Sequence, residues 1–372
     1  MPATQGSRRS GGGIRGREAV AGWVFTAPMV IVMGLFVFIP VLMAFYVSLT
    51  SWNGNGSPFT GGANARFVGA TNYTSLFTED SLNRQNFMQS LGNNFWYVLF
   101  VVPLQTAVSF FLALIVSNRF LKGKGFFRTA FYFPSVTSSI AISVVFLFLF
   151  ANAGAVNAML RAVGINGPSW FSDSRGLFHL IVRPLGLDNP GWAQAQVLGR
   201  SLWDWLSGPS VAMSVIIFLA VWTTTGTFML MFLAALQDLP IEVDEAALLD
   251  GVSPWQKLRM ITLPMIKPTL FLVITLGLIG TWQVFDQIYV MGKGAPAGTT
   301  LTPAFLSYKQ SFTSLQYGSG AAMAFIVFLL IIALTLFQRW LMSDNRSTRR
   351  SRRTAGVAVA TSRGQNLGGP VR

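Results

Sequence analysis

The chain of 372 residues contains no cysteine and only one histidine, His179. Without thiols it forms no disulfide, carries no cysteine nucleophile and offers no thiolate metal site. One histidine alone completes neither a zinc site nor a Ser-His-Asp triad, and in a polar loop it reads as a surface residue. Charge is scarce too: 11% of residues are charged, against roughly 25% in ordinary soluble domains. No GxxxxGK[ST] phosphate loop is present, so the chain is not itself an ATPase. Its apolar runs hold no cluster of histidines or carboxylates from which an active site could be built. The chain therefore reads as no enzyme, with no catalytic residue and no metal ligands.

Apolar residues are abundant, at 52% of the chain. They fall into six uncharged, mainly apolar runs at Ala21–Leu49, Gly92–Ser117, Thr129–Ala151, Pro209–Leu236, Pro268–Phe285 and Gly318–Gln338. A bilayer-spanning helix needs roughly 20 such residues, a length the fifth run reaches only by extending past Asp286. The spacing predicts an all-α membrane protein of six transmembrane helices over residues 21–341, with kinks at Pro28, Pro40, Pro103 and Pro134.

The net charge of +14 does not imply nucleic acid, because its excess is sorted by loop. Arg8, Arg9, Arg15 and Arg17 precede the first run, and Arg119, Lys122, Lys124 and Arg128 follow the second. Lys257, Arg259 and Lys267 follow the fourth, and a further arginine series from Arg339 to Arg372 follows the sixth. By the positive-inside rule these segments and both termini are cytoplasmic, in a multi-pass protein of a prokaryotic cell membrane. Residues 1–20 are basic and lack the apolar core of a signal peptide, so the first run serves as an uncleaved anchor. The basic tail 342–372 has the composition of disorder; it fits a contact with anionic membrane lipid and equally a solvated tail that fixes topology. On the other side, residues 152–208 carry four tryptophans among Pro-Gly breaks. They fit a short helix lying in the interface or a surface that docks an external partner.

The acidic residues Glu242, Asp244, Glu245 and Asp250 gather between the fourth and fifth runs, in the segment 238–268. Local signals there predict a cytoplasmic helix–turn–helix. Asp238 or Leu239 caps a helix with Pro240 in its first turn, and the acids suit the positive end of the helix dipole. Gly251 ends that helix. "SPWQ" is a capping box that starts a second one at Ser253, and Pro264 and Pro268 close it and open the fifth span. Val243, Ala246, Ala247 and Asp250 share a face at helical spacing. Residue by residue the pattern fits a contact surface or a solvated loop.

As a whole, "EAALLDGVSPWQKLRMITLP" resembles the EAA motif of ABC-importer permeases, with Glu245, Ala246, Ala247, Gly251, Ile261, Leu263 and Pro264 at the motif spacing. "GNNFWYVLFVVPLQTAVSFFLALIVSN", "LKGKGFFRTAFYFPSVTSSIAISVVFLFLF", "AVWTTTGTFMLMFLAALQDLP" and "WQVFDQIYVMGKGAPAGTT" are similar to segments of the carbohydrate-uptake branch, in particular the maltose- and glycerol-phosphate-type first subunit. Asn93-Asn94 departs from the usual Asn-Thr, and residues 173–202 look like an insertion in a loop that is normally short. The resemblance implies that Glu245 through Pro264, Asp250 included, couple to an ATPase. It also implies a second permease subunit in a hetero-dimer, two ATPase subunits that hold the ATP and magnesium this chain lacks, and an extracytoplasmic solute-binding protein.

A charge inside a membrane helix costs at least about 2.5–3.5 kcal/mol and usually faces a cavity. Asp286 lies late in the fifth run with Gln283 and Gln287 beside it, where a roughly helical repeat would present them to a sugar. The same position also fits the membrane boundary. Trp222 and Thr225 belong to "WTTTGTFM" in the fourth run, which fits either a polar path lining or close helix packing around Gly226. The resulting expectation is an ATP-driven importer subunit for a sugar or polyol-like solute, working by alternating access. The alternative is a self-sufficient secondary transporter or channel, for which a single peripheral Asp is a poor coupling group.

Overall fold

Apolar sequence of hydrocarbon length satisfies its own backbone only as helix or closed barrel, and helices dominate here. The structure, a computed structural model, describes residues 12–60, 65–118, 121–182, 190–197 and 199–342. The expectations for residues 1–11 and for the basic tail from 343 onward lie outside the described residues. Among the described residues four helices are long and apolar enough to cross a membrane: Ala19–Ser48, Leu82–Ser117, Val211–Gln237 and Tyr317–Met342. The third run is instead a bent pair, Lys124–Val136 with Ser139–Leu149 at 95°, and the helix of the fifth run, Lys267–Trp282, meets the preceding Pro254–Met265 at a bend of 71°.

The chain forms two compact units, Met1–Met88 with Pro303–Ile326, and Gln89–Thr302 with Val327–Arg372. In the first, α1 (Gly12–Met33) widens into a π-turn at Gly34–Phe38 before α2 (Ile39–Ser48). Pro40 has no N–H to give the carbonyl four residues back, and the widened turn lies just there. α3 (Thr71–Thr78) is tied to the end of α2 through Asn72, whose Nδ2 donates to the carbonyls of Ser48 and Thr50 at 2.8 Å each. α4 (Leu82–Ser117) runs unbroken through Pro103 and continues into the second unit.

In the second unit follow α5 (Lys124–Val136), α6 (Ser139–Leu149), α7 (Ala155–Ala162) and α8 (Leu177–Val182). A two-residue hairpin, β1 (Gln196–Val197) with β2 (Arg200–Ser201), leads into α9 (Leu202–Trp205) and α10 (Val211–Gln237). The polypeptide then forms α11 (Ile241–Leu249), α12 (Pro254–Lys257), α13 (Leu263–Met265) and α14 (Lys267–Trp282). Back in the first unit, α15 (Pro303–Tyr308) precedes α16 (Tyr317–Met342), which ends in the second. The core of the second unit is Ala113 and Val116 of α4, Phe228, Met229, Phe232 and Leu233 of α10, and Ile266 and Val273 at and in α14.

Polar side chains fasten these apolar helices where hydrophobicity alone gives little drive to associate. Ser135 of α5 donates to the Thr223 carbonyl at 2.6 Å and accepts from the Thr227 N–H at 3.2 Å, inserting itself into the ladder of α10. Gly226 makes the approach feasible, because a Cβ there would run into α5 backbone. Gln338 of α16 donates to the Phe271 carbonyl and accepts from Thr275.

The two bends lie beside the expected kink at Pro134 and the expected opening of the fifth span at Pro268, and both have local causes. α5 ends at Val136, with Thr137 extended at ψ 145°, three residues past Pro134. The helix that precedes the fifth run ends at Ile266, whose ψ of 7° is not helical, immediately before Lys267-Pro268; proline disfavours helix in the residue before it and withholds its own N–H.

Candidate functional site

Two features of the second unit stand out: the hairpin α11–α12 and a polar cavity where α14 ends. The hairpin is closed almost entirely by its own residues. Pro240 occupies the N-cap of α11, one residue later than expected, and Asp238 instead forms the C-cap of α10. At the other end Gly251 adopts φ +66°. The Val252 N–H reaches the Ala247 carbonyl at 3.1 Å and the Gly251 N–H reaches Leu248 at 3.2 Å, the paired bonds of a Schellman motif. The predicted capping box is present: Ser253 Oγ accepts from the Gln256 N–H, and Gln256 Oε1 accepts from the Ser253 N–H at 3.0 Å. Lys257 Nζ lies 2.8 Å from Asp244 Oδ1, clasping α12 to α11.

The shared face expected of Val243, Ala246, Ala247 and Asp250 is divided. Ala247 is buried within the chain and Val243 half-buried, whereas Ala246 and Asp250 are exposed. Glu245 and Gly251 are exposed as well, and Ile261 and Leu263 are half-buried. Pro264 does not close the second helix. A π-turn at Leu258–Thr262 carries it into α13, and the helical run ends at Met265. Large apolar side chains stand in the open around the turn: Leu248 is 77% exposed, Leu249 88%, Trp255 68% and Met260 72%. Such a cluster on a hairpin marks a contact surface.

The cavity has a volume of about 330 Å³ and is lined by α4, α10, α14 and the residues that follow α14. α14 stops at Trp282, and Gln283–Phe285 leave the helix before Asp286 and Gln287 resume it ahead of a π-turn at Ile288–Gly292. The expected helical repeat from Thr281 to Gln287 is therefore interrupted. The interruption gathers Gln283, Asp286 and Gln287 at the cavity wall. The opened backbone is re-satisfied locally, with Thr302 Oγ1 donating to the Val284 carbonyl at 3.2 Å. Asp286 Oδ2 accepts from Ser139 Oγ at 2.5 Å, which ties the break to the start of α6.

Opposite the break, Gln105 is 1% exposed and its Oε1 accepts from Thr224 Oγ1 at 2.7 Å. Its Nε2 has no partner and lies hard against Gly277 of α14, where any Cβ would overlap it. Tyr97 completes the polar wall. Thr224 belongs to the "WTTTGTFM" stretch that fits a path lining, whereas no sequence signal singles out Gln105 or Tyr97, since each sits in an apolar run.

Trp222 and Thr225 do not line this cavity. Trp222 packs on Phe146, ring centroids 5.6 Å apart. Thr225 is buried, donates to the Val221 carbonyl in its own helix, and lends its own carbonyl to Ser109 at 3.0 Å. Packing accounts for both.

At the end of the unit away from the hairpin, described residues between 174 and 210 meet α4 around Trp96. Trp96 Nε1 donates to the Trp205 carbonyl at 2.8 Å. Trp205 Nε1 donates to Val197 at 3.1 Å, and the Arg200 guanidinium lies 5.7 Å above the Trp205 ring. His179 is no simple surface residue. It is half-buried, stacked on Trp203 at 4.2 Å, with Nε2 bonded to the Trp203 carbonyl. Arg175 pairs with Asp173 at 2.6 Å, and its hydrogen bonds hold that carboxyl below the usual carboxylate range. Burial lowers the Arg200 guanidinium, an effect Asp204 opposes.

Residues 105–347 match the family described as binding-protein-dependent transport system inner membrane component. The chain is 31% identical over 330 residues to the lactose transport system permease protein LacF of Rhizobium radiobacter, covering 88% of this chain and 95% of that one. It is 29% identical over 331 residues to the trehalose/maltose transport system permease protein MalF of Thermococcus litoralis, covering 86% and 92%. A chain of the bacterial ABC transporter involved in import of the acidic polysaccharide alginate superposes with a TM-score of 0.63 at 18% identity, over 88% of this chain and 98% of that chain.

Proposed function

The chain belongs to the family of inner membrane components of binding-protein-dependent transport systems, and on that premise we propose that it conducts a sugar or polyol-like solute into the cytoplasm. It is a multi-pass membrane protein and a permease subunit of an ABC importer. The sugar reading rests on relatives named for lactose and trehalose/maltose. Counting α5 with α6 as one crossing and α14 as another beside the four long helices, the chain spans the bilayer six times with both ends inside, in keeping with its arginine and lysine distribution.

The work divides between the two features. On the cytoplasmic side, α11–α12 docks on an ATPase subunit through Glu245, Ala246 and the exposed apolar residues beside Gly251. The capping bonds and the Asp244–Lys257 clasp stiffen the hairpin, so a push on it moves α14 rather than deforming the turn. Hydrolysis of ATP with magnesium is done by two such partner subunits, and this chain performs no catalysis. A second permease subunit supplies the other half of the path, and a solute-binding protein delivers the cargo; one alginate-importer structure is a complex with a substrate-bound periplasmic protein.

The solute passes the cavity at the end of α14. The observation that carries this reading is the interruption of a membrane helix at Gln283–Phe285, which brings amide and carboxylate groups to one wall. Irregular backbone at membrane depth is tolerated where it lines a cavity. The test is uptake by the co-purified complex in proteoliposomes, with labelled lactose and maltose as probes. ATP-dependent accumulation supports the reading; ATP-independent uptake by this chain alone would refute it.

A further inference from the structure

A second polar cavity, of about 320 Å³, is lined by described residues between 174 and 210, by Gln89 and Asn93 of α4 and by the loop around Ala297 and Thr299. Ligand pockets begin at roughly this size, so the space suits one sugar residue. Most of its polar groups are already committed. Gln89 Nε2 donates to the Ala297 carbonyl at 2.8 Å, and Asn93 Nδ2 donates to Gly298 and Leu301 at 2.7 and 2.9 Å. Arg175 is held by Asp173, and His179 by Trp203.

Arg200 remains. It is half-buried on the face of Trp205, and Gly92 leaves room for the pair, since a Cβ there would come within 3.0 Å of Arg200 Nη1 and 3.1 Å of the Trp205 ring. Among the described residues no carboxylate lies within ion-pair distance of it. Asp204 is exposed, and its Oδ2 accepts from Ser201 Oγ at 2.7 Å. A guanidinium offers five donors in a fork that matches a carboxylate. Nearby hydroxyls are oriented to complement it: Ser207 donates to the Asp204 carbonyl at 2.9 Å and Thr299 to Pro296 at 2.8 Å. Both oxygens are thus left as acceptors for the hydroxyl groups of a ligand.

We propose that this extracytoplasmic pocket is a binding site for an acidic saccharide of the uronate class, with Arg200 taking its carboxylate and Ser207 and Thr299 its hydroxyls. The site is separate from the cavity at the end of α14 and does not depend on the reading of that cavity as the solute path. Because Gln89 and Asn93 hold the loop that forms its wall, occupancy stiffens the segment leading back to Asp286. A carboxylate could come from a free saccharide or from an acidic side chain of a docked binding protein, and the experiment separates the two.

The complex containing the full chain, in lipid nanodiscs without binding protein, is titrated calorimetrically with D-galacturonate and D-galactose. Galacturonate binds roughly tenfold tighter or better, as expected for a hydrogen-bonded charge. R200Q removes the preference, whereas D204N, which keeps the acceptor for Ser201 and deletes a like charge, strengthens it. D204N also decides the matter if R200Q fails to fold. Equal binding of the two sugars, a preference that survives R200Q, weaker galacturonate binding in D204N, or an Arg200-dependent response seen only when binding protein is added would each overturn the proposal.

Discussion

The α11–α12 hairpin and the cavity at the end of α14 treat their polar groups in opposite ways. The hairpin finishes its own bonds: a Schellman pair at Gly251, a reciprocal box at Ser253 and Gln256, and one ion pair between its two helices. What it leaves open is apolar, at Leu248, Leu249 and Trp255. The cavity is built from residues of four elements and leaves polar groups open, including the unpartnered Nε2 of Gln105. A self-satisfied element with an apolar exterior suits transmission of force to another protein. An unsatisfied amide costs about 1–3 kcal/mol, and that cost is relieved when helix motion or a solute supplies a partner. One feature is made to be rigid and the other to be filled.

Perturbations of the hairpin should give the largest effects. Glu245→Lys places a cation on the docking face and is expected to reduce ATP-dependent uptake to background while membrane insertion, judged by protease accessibility, stays normal. Gly251→Val forces a β-branched residue to φ +66°, a strain of roughly 1–2 kcal/mol. Uptake should fall roughly tenfold or more if that strain displaces the docking residues. Normal uptake in both variants would break the comparison on the hairpin side.

On the cavity side, Gly277→Ala drives a methyl group into Gln105 Nε2, an overpacking cost of about 1–3 kcal/mol. The helices α4 and α14 must separate or the amide must swing into the cavity. Solute KM should rise, with ATP hydrolysis by the partner subunits retained. Asp286→Asn keeps an acceptor for Ser139 and removes the charge, so a smaller rise in KM is expected, without loss of expression. An unchanged KM would remove Asp286 from the path and return it to a boundary role.

The smallest effect concerns the clasp. Asp244 and Lys257 are 39% and 33% exposed in their side chains, where an ion pair contributes about 0–1 kcal/mol. D244A and K257A should each lower the coupling efficiency modestly, and the exchanged pair D244K/K257D should restore it. Failure of the exchange to rescue would assign the pair no role beyond solvation.

The two regions also differed in how far they could be read from the residues. The signals of the hairpin are local: Ser253 and Gln256 lie three apart, and Gly251 ends its own helix. They were therefore legible, down to the capping box. The errors were of one or a few residues, at Pro240 and Pro264, because proline fits both the N-cap and a π-turn that continues the helix. The cavity was half legible. Gln283, Asp286 and Gln287 announce themselves as polar residues in an apolar run, but their gathering depends on the break after Trp282. That break is supported by Thr302 from a distant loop. Gln105 and Thr224 meet across 119 positions, a pairing no local spacing encodes. Trp222 and Thr225 fitted both path lining and packing for the same reason, since the face of α10 that meets α4 and α5 is set by their packing. His179 became a stacked, half-buried group only through Trp203.

The division of labour between hairpin and cavity is tested most directly by measuring ATP hydrolysis and solute uptake side by side, in proteoliposomes holding the complete transporter with its loaded binding protein. Two variants are compared, Gly251→Val and Gln105→Leu. The account predicts that Gly251→Val loses both stimulated hydrolysis and uptake, whereas Gln105→Leu keeps stimulated hydrolysis and loses uptake. Stimulated hydrolysis that survives in Gly251→Val, or uptake that survives in Gln105→Leu, would contradict it.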